Sequence, residues 1–118
     1  MDQPFSLTSE VRDGVLVITT SGYVNNEGGE AIAAAFGRHH AEGVKYVVIN
    51  LARSKVVNSI GMSFLIEIIE QLQEVGGKLV FTNLDPAVEK MLTIMGLFKF
   101  AGNAATVEDG IRGLVQTT

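Results

Sequence analysis

The chain contains no cysteine. That absence excludes a disulfide framework, a thiol nucleophile and a cysteine-ligated zinc, and it fits a reducing compartment. Basic residues are too few to outnumber acids: nine Lys and Arg stand against thirteen Asp and Glu, a net charge of −4. A protein that grips the phosphate backbone needs a basic face, so nucleic acid is not expected as a partner. No apolar run reaches the roughly 18 uncharged residues of a membrane span. The best stretch is broken by Glu67 and Glu70, so direct membrane insertion is not expected. The start, MDQPFSLTSEV, has an acid at position 2 and no basic region ahead of a long apolar stretch. It does not read as a signal peptide, and the cytoplasm is the expected location. The only histidines, His39 and His40, are adjacent; on a helix they point about 100° apart and cannot share a metal. No G-x-S-x-G is present and no serine has a plausible base. Gly28-Gly29 lacks the lysine and the strand-to-glycine spacing of a phosphate loop. The residues therefore predict no cofactor, no metal and no enzymatic activity.

Hydrophobic residues make up 47% of the 118 positions, enough for a core and of a length suited to one domain over 1–118. Phe5 to Val11 alternates loosely, and Asp13-Gly14 signals a hairpin turn into the β-branched run Val15 to Thr20. These two strands should pair antiparallel. A helix follows from about Glu27 to Ala41, with Ile32, Ala35, Phe36 and His39 at helical spacing, stopped by Gly43. Val47-Val48-Ile49 marks a strand buried on both faces, and Lys78 to Thr82 marks another. Asp85-Pro86 starts a helix with Pro at its first position, carrying Val88, Met91, Leu92 and Met95. Phe98-Lys99-Phe100 reads as a short edge strand. Thr106 caps a last helix bearing Val107, Ile111, Leu114 and Val115. Strand–helix units in succession place the chain in the α/β class, as a single domain. Its sheet is expected to be mixed and mostly parallel, of about four or five strands, with an N-terminal antiparallel hairpin and about four helices packed on it.

The stretch from Val47 to Val75 organises the rest. After the strand come a polar loop, the pair Val56-Val57, and Asn58-Ser59, either of which can accept a bond from an unpaired backbone N–H at a helix start. Leu65, Ile68, Ile69 and Leu72 then recur at i, i+3, i+4 and i+7, with Glu67, Glu70, Gln71 and Glu74 opposite. Gly76-Gly77 ends the helix. On a helical wheel Ser59 and Ser63 fall on the polar side, and Ile60 falls among the glutamates. Ser59 with Ile60 reads either as a cap beside a scattered surface apolar residue or as a contact surface. Arg53 and Lys55, just upstream, either steady an anion or solvate a loop.

Strand, loop, Val56-Val57-Asn58-Ser59-Ile60-Gly61-Met62, amphipathic helix and Gly76-Gly77-Lys78-Leu79 together resemble the STAS domain of bacterial anti-sigma factor antagonists. The motif of that family is approximately aspartate-leucine-serine, a few residues, an apolar pair, then aspartate-serine-x-glycine-leucine. By this resemblance Ser59 falls on the phosphoacceptor, Gly61 on the glycine and Met62 on the leucine. Leu84 to Val88 with Met95-Gly96-Leu97 resembles the third-helix region, and Thr106 to Ile111 the C-terminal helix. The sequence departs at Asn58, Asn50 and Asn25, amides where acids are usual, and at Ala52, where serine is usual. An amide keeps the size and hydrogen bonding of a carboxylate but drops its charge. The resemblance implies a non-enzymatic switch. The unmodified domain binds an anti-sigma factor serine kinase with a histidine-kinase-like ATPase fold, phosphorylation of Ser59 ends binding, and a serine phosphatase restores it. The implied partner-binding residues are Asn25, Asn58, Ile60, Gly61, Met62 and Ser63, with Asn58 and Gly61 shaping the helix entry, Ile60 and Met62 as contact or packing residues, and Asn25 lining the same surface. The missing acids keep a second reading open: a constitutive STAS subunit of a transporter ATPase or of a stress-signalling scaffold, without a phospho-switch.

Overall fold

In the computed structural model, which describes residues 4–115, the chain begins with a hairpin of β1 (Ser6–Arg12) and β2 (Val15–Ser21) in antiparallel register, Arg12 opposite Val15. Residues 1–3 and 116–118, including the start of the segment read for a signal peptide and the ends of the expected 1–118 domain, lie outside the described residues. The turn places Asp13 at φ 54° and Gly14 at φ 79°, the left-handed pair of a type I′ turn that matches the twist of the flanking strands. Then follow α1 (Asn26–His40), β3 (Tyr46–Arg53), α2 (Ser59–Glu74), β4 (Lys78–Thr82), α3 (Pro86–Ile94), a 3₁₀ turn at Leu97–Lys99, β5 (Gly102–Ala104) and α4 (Val107–Val115). The sheet runs β1-β2-β3-β4-β5, antiparallel at the first pair and parallel at the rest.

Alternation along the strands decides which helix covers which face. Leu16, Ile18, Val47, Ile49, Leu79 and Phe81 point to one side, where they pack with Ile32 and Phe36 of α1, Leu65 and Ile69 of α2, and Val88 and Leu92 of α3. The intervening Val15, Val17 and Val48 point to the other side, under Val107, Ile111 and Leu114 of α4. The helix ends follow local chemistry. Asp85 Oδ1 accepts from the Ala87 N–H at 3.0 Å ahead of Pro86, and Thr106 Oγ1 accepts from the Asp109 N–H at 3.1 Å. At the end of α2, the Gly76 N–H donates to Gln73 O at 3.2 Å and the Gly77 N–H to Leu72 O at 2.7 Å. With Gly76 at φ 71°, this is the paired closure that glycine permits.

One element differs from the sequence reading. Phe98-Lys99-Phe100 is not an edge strand: the 3₁₀ turn occupies that segment, and β5 follows at Gly102–Ala104. Gly96, at φ 81°, turns the chain so that Leu97 is buried and Phe98 meets Phe81 edge-to-face, ring centroids 6.2 Å apart. Both apolar contacts then come from consecutive residues, which a strand would have sent to opposite faces.

Candidate functional site

The loops that precede α1 and α2 are joined backbone to backbone. The Gly22 N–H donates to Arg53 O at 2.9 Å, the Val24 N–H to Val56 O at 3.0 Å, and the Asn58 N–H to Val24 O at 3.1 Å. Val24 and Val57 form an isolated parallel bridge, and both are buried. The β2–β3 pairing thus continues, in broken form, beyond its register shift. It sets the N-termini of α1 and α2 side by side at the C-terminal end of these strands.

Each helix start is capped by an asparagine. Asn25 Oδ1 accepts from the Gly28 N–H at 3.1 Å, and Asn58 Oδ1 from the Gly61 N–H at 2.8 Å. Asn58, not Ser59, is therefore the cap of α2, which leaves Ser59 as the first helical residue. Two glycines permit the close approach. A Cβ on Gly61 would lie 2.2 Å from Val24 O, and one on Gly29 would lie 2.4 Å from the Phe64 ring. Beneath the loop, the hydroxyls of Thr20 and Ser54, both fully buried, bond to each other at 2.7 Å. Asn50 Oδ1 accepts from the Ala52 N–H at 2.9 Å. All three amides standing at acid positions of the motif thus use their oxygens on local backbone N–H groups, a task that needs no charge.

Ser59 is exposed, and its hydroxyl makes no hydrogen bond among the described residues. Ile60 beside it is 51% exposed. Ser63 is exposed too, but its hydroxyl turns back and donates to Ile60 O at 2.6 Å. Two further apolar side chains join this surface, Tyr23 and Val56. Each precedes a buried member of the Val24–Val57 bridge, so alternation turns both outward. The Val56-Val57 pair carried that signal, since adjacent residues of an extended segment face opposite ways. The Thr20–Ser54 bond had no signal in the sequence.

Two residues of the implied partner surface lie beneath it, Met62 as packing and Gly61 as part of the helix entry. Met62 is 1% exposed and belongs to the core between α2 and the sheet; it lies three residues before Leu65, on the same helical stripe. Gly61 is buried against Val24. Neither offers a side chain to a partner, and Gly61 instead permits the approach that fixes the surface. Asn25 and Asn58 are half-buried and shape the two helix starts.

The electrostatics favour an anion at Ser59. The first turn of α2 holds no acidic residue. The N–H groups of the first two helical positions, Ser59 and Ile60, have no intrahelical partner, and the helix dipole adds positive potential there. Among the described residues, no group of three or more His, Asp or Glu is placed to hold a metal, and no helix is long and apolar enough to cross a membrane.

A five-stranded sheet with helices of sequential crossovers on one face, a terminal helix on the other, and an exposed serine opening α2 beside a bridged loop is the arrangement of a small STAS-type regulatory domain. The comparisons agree with it. The profile described as the STAS domain matches residues 6–110. BtrV of Bordetella bronchiseptica, named as a candidate anti-sigma factor antagonist, is 31% identical over 76% of this chain and 78% of its own length. An anti-sigma factor antagonist from Mycobacterium paratuberculosis superposes with a TM-score of 0.84 at 24% identity, covering 98% of this chain and 99% of the other. The antagonist SpoIIAA, in its unphosphorylated form, superposes with a TM-score of 0.78 at 24% identity over 98% of each chain. The phosphorylated form of the Bacillus protein does so at 0.71, with 24% identity over 92% of this chain and 97% of the other. The chain belongs to the STAS domain family, and within it to the anti-sigma factor antagonists.

Proposed function

We propose that the unmodified domain binds an anti-sigma factor serine kinase of the histidine-kinase-like ATPase type through the surface of Ser59, Ile60, Tyr23 and Val56. Phosphorylation of Ser59 releases that partner, and a serine phosphatase resets the switch. The domain works in the cytoplasm and has no catalytic activity of its own. The observation that carries the reading is the free, exposed Ser59 hydroxyl at the first turn of α2 beside the half-exposed Ile60. A phosphate there adds roughly −1.5 to −2 charges. The helix start tolerates that charge, so the fold stays intact, while an apolar contact surface becomes anionic and repels a partner seated on it. The non-catalytic role is supported by the strand order, which never reverses and so lacks the crevice where doubly wound sheets hold their ligands.

The test pairs two measurements. Intact-mass analysis of the chain from its native cell, wild type against Ser59→Ala, should give one phosphate that the variant lacks. Titration of the kinase with wild type and Ser59→Asp should show the second binding at least about tenfold more weakly, a loss of about 1.4 kcal/mol. Equal affinity for the two proteins refutes the switch. The missing acids at positions 25, 50 and 58, where amide oxygens serve as backbone acceptors, motivate one alternative: a constitutive subunit of a transporter ATPase or stress-signalling scaffold. Absence of phosphate in every growth condition, with stoichiometric copurification of such an assembly, would establish it instead.

A further inference from the structure

At the end of α2 remote from Ser59 lies a second apolar surface. Ile94 is 71% exposed, Phe100 61% and Met95 52%. All three stand at the C-terminal end of α3 or in the turn that follows. Beside them is a cleft of about 210 Å³, lined by Ile66, Ile69 and Glu70 of α2 with Met95, Leu97 and Phe100 among others. Single exposed apolar residues are normal, but large ones clustered on a cleft and rimmed by polar groups mark an interaction site.

The rim states what the cleft would accept. Helix α2 carries Glu67, Glu70 and Glu74 and no Lys or Arg. None of these acids makes an ion pair among the described residues. Neither α2 nor α3 has a basic residue in its last turn. The negative ends of two helix dipoles therefore add to these carboxylates, of which Glu70 lines the cleft itself. Lys99 lines the neighbouring groove along β5, and the stem of its side chain passes beside Gly96 at the edge of the cleft.

We propose that this face docks an amphipathic helix from a partner protein, with its apolar side chains in the cleft and its Lys or Arg residues against Glu70 and Glu74. A groove between helices that takes an amphipathic helix is an established way of binding a peptide, and the acidic rim selects a basic one. A second copy of this chain is a poorer occupant, because the net charge of −4 sets like against like. Ser59 is the first residue of α2 and Glu74 the last. At 1.5 Å per residue they lie about 22 Å apart, more than two Debye lengths at physiological salt. Docking here is therefore independent of the charge on Ser59, and the domain can hold a second partner while the first is released.

The test uses the full chain, ¹⁵N-labelled, and three synthetic peptides of about 14 residues, long enough to form a helix on binding. One is an amphipathic Leu/Lys helix, one its Leu/Glu counterpart, and one a Leu/Lys peptide with the apolar stripe scrambled. The Leu/Lys helix should shift the amides of Ile69, Glu70, Met95 and Phe100 and bind best of the three. Phe100→Ser and the surface change Glu70→Lys should each weaken it about tenfold or more, and Ser59→Asp should leave it unchanged. Three results overturn the proposal: the Leu/Glu or scrambled peptide binding equally well, shifts centred elsewhere, or Glu70→Lys without effect. Broadening of the same amides with protein concentration alone also overturns it, in favour of self-association.

Discussion

Replacing Gly61 by alanine separates two forces of opposite sign. In an open helix the change stabilises, because glycine is about 0.5–1 kcal/mol worse than alanine there. At Gly61 the new Cβ would stand 2.2 Å from Val24 O, 2.8 Å from Val24 C and 3.0 Å from Val24 Cγ1. Non-bonded atoms settle at about 3.5 Å or more, so α2 and the Val24 segment must part by about 1 Å. That movement strains the Asn58 N–H to Val24 O bond of 3.1 Å and the Gly61 N–H to Asn58 Oδ1 bond of 2.8 Å. Overpacking costs about 1–3 kcal/mol, and each weakened hydrogen bond about 1 kcal/mol. Against the propensity gain the net loss is about 2–4 kcal/mol, or roughly 8–16 °C in Tm for a domain of this size. Gly37→Ala in α1 is the matched control, since a Cβ there meets nothing within 4 Å; it should gain about 0.5–1 kcal/mol. Urea unfolding of the three proteins, followed by circular dichroism, reads both. A Gly61→Ala protein as stable as wild type, beside a stabilised Gly37→Ala, refutes the argument that contact with Val24 requires this glycine.

Three further outcomes follow from the same surface. Asn58→Ala should cost about 1 kcal/mol for the lost cap, whereas Asn58→Asp should keep it and gain about 0.3–1 kcal/mol at low ionic strength, fading with added salt; urea midpoints at two salt concentrations compare them. Thr20→Val should cost about 1–3 kcal/mol by leaving the buried Ser54 hydroxyl unpaired, Ser54→Ala less because the Thr20 hydroxyl keeps Asn50 O at 3.4 Å as an acceptor, and the double variant should cost clearly less than the sum; strictly additive losses in the cycle would mean the Thr20–Ser54 bond is not made. Ile60→Lys should leave stability within about 0.5 kcal/mol while lowering affinity for the kinase about tenfold or more; unchanged binding by calorimetry would remove Ile60 from the contact surface.

What the sequence could reveal about this domain was whatever local chemistry encodes. Asp13-Gly14, Asp85-Pro86, Thr106 and Gly76-Gly77 each have a mechanism that acts within a few residues, and the structure uses each one there. Met62 was legible as well: it extends the stripe of Leu65, Ile69 and Leu72 back by one turn. Its assignment to a partner surface came from the motif it belongs to and not from its place on the helix. The 3₁₀ turn at Leu97–Lys99 was not legible, because a short apolar run looks the same in a strand and in a turn until Phe81 supplies the contact that decides it. The site itself depends most on pairings between distant parts of the chain. Thr20 and Ser54 lie 34 residues apart in sequence, and Val24 reaches Val57 across the whole of α1 and β3. No periodicity reports such contacts. The amides at 25, 50 and 58 leave the architecture intact for a local reason: each keeps the oxygen that a nearby backbone N–H needs and gives up only charge. At Asn58 that charge would have stood next to a phosphate on Ser59. The departure from the motif therefore bears on the electrostatics of the proposed switch, where a neutral cap opposes the modified state less than a carboxylate would, and not on the position of the serine.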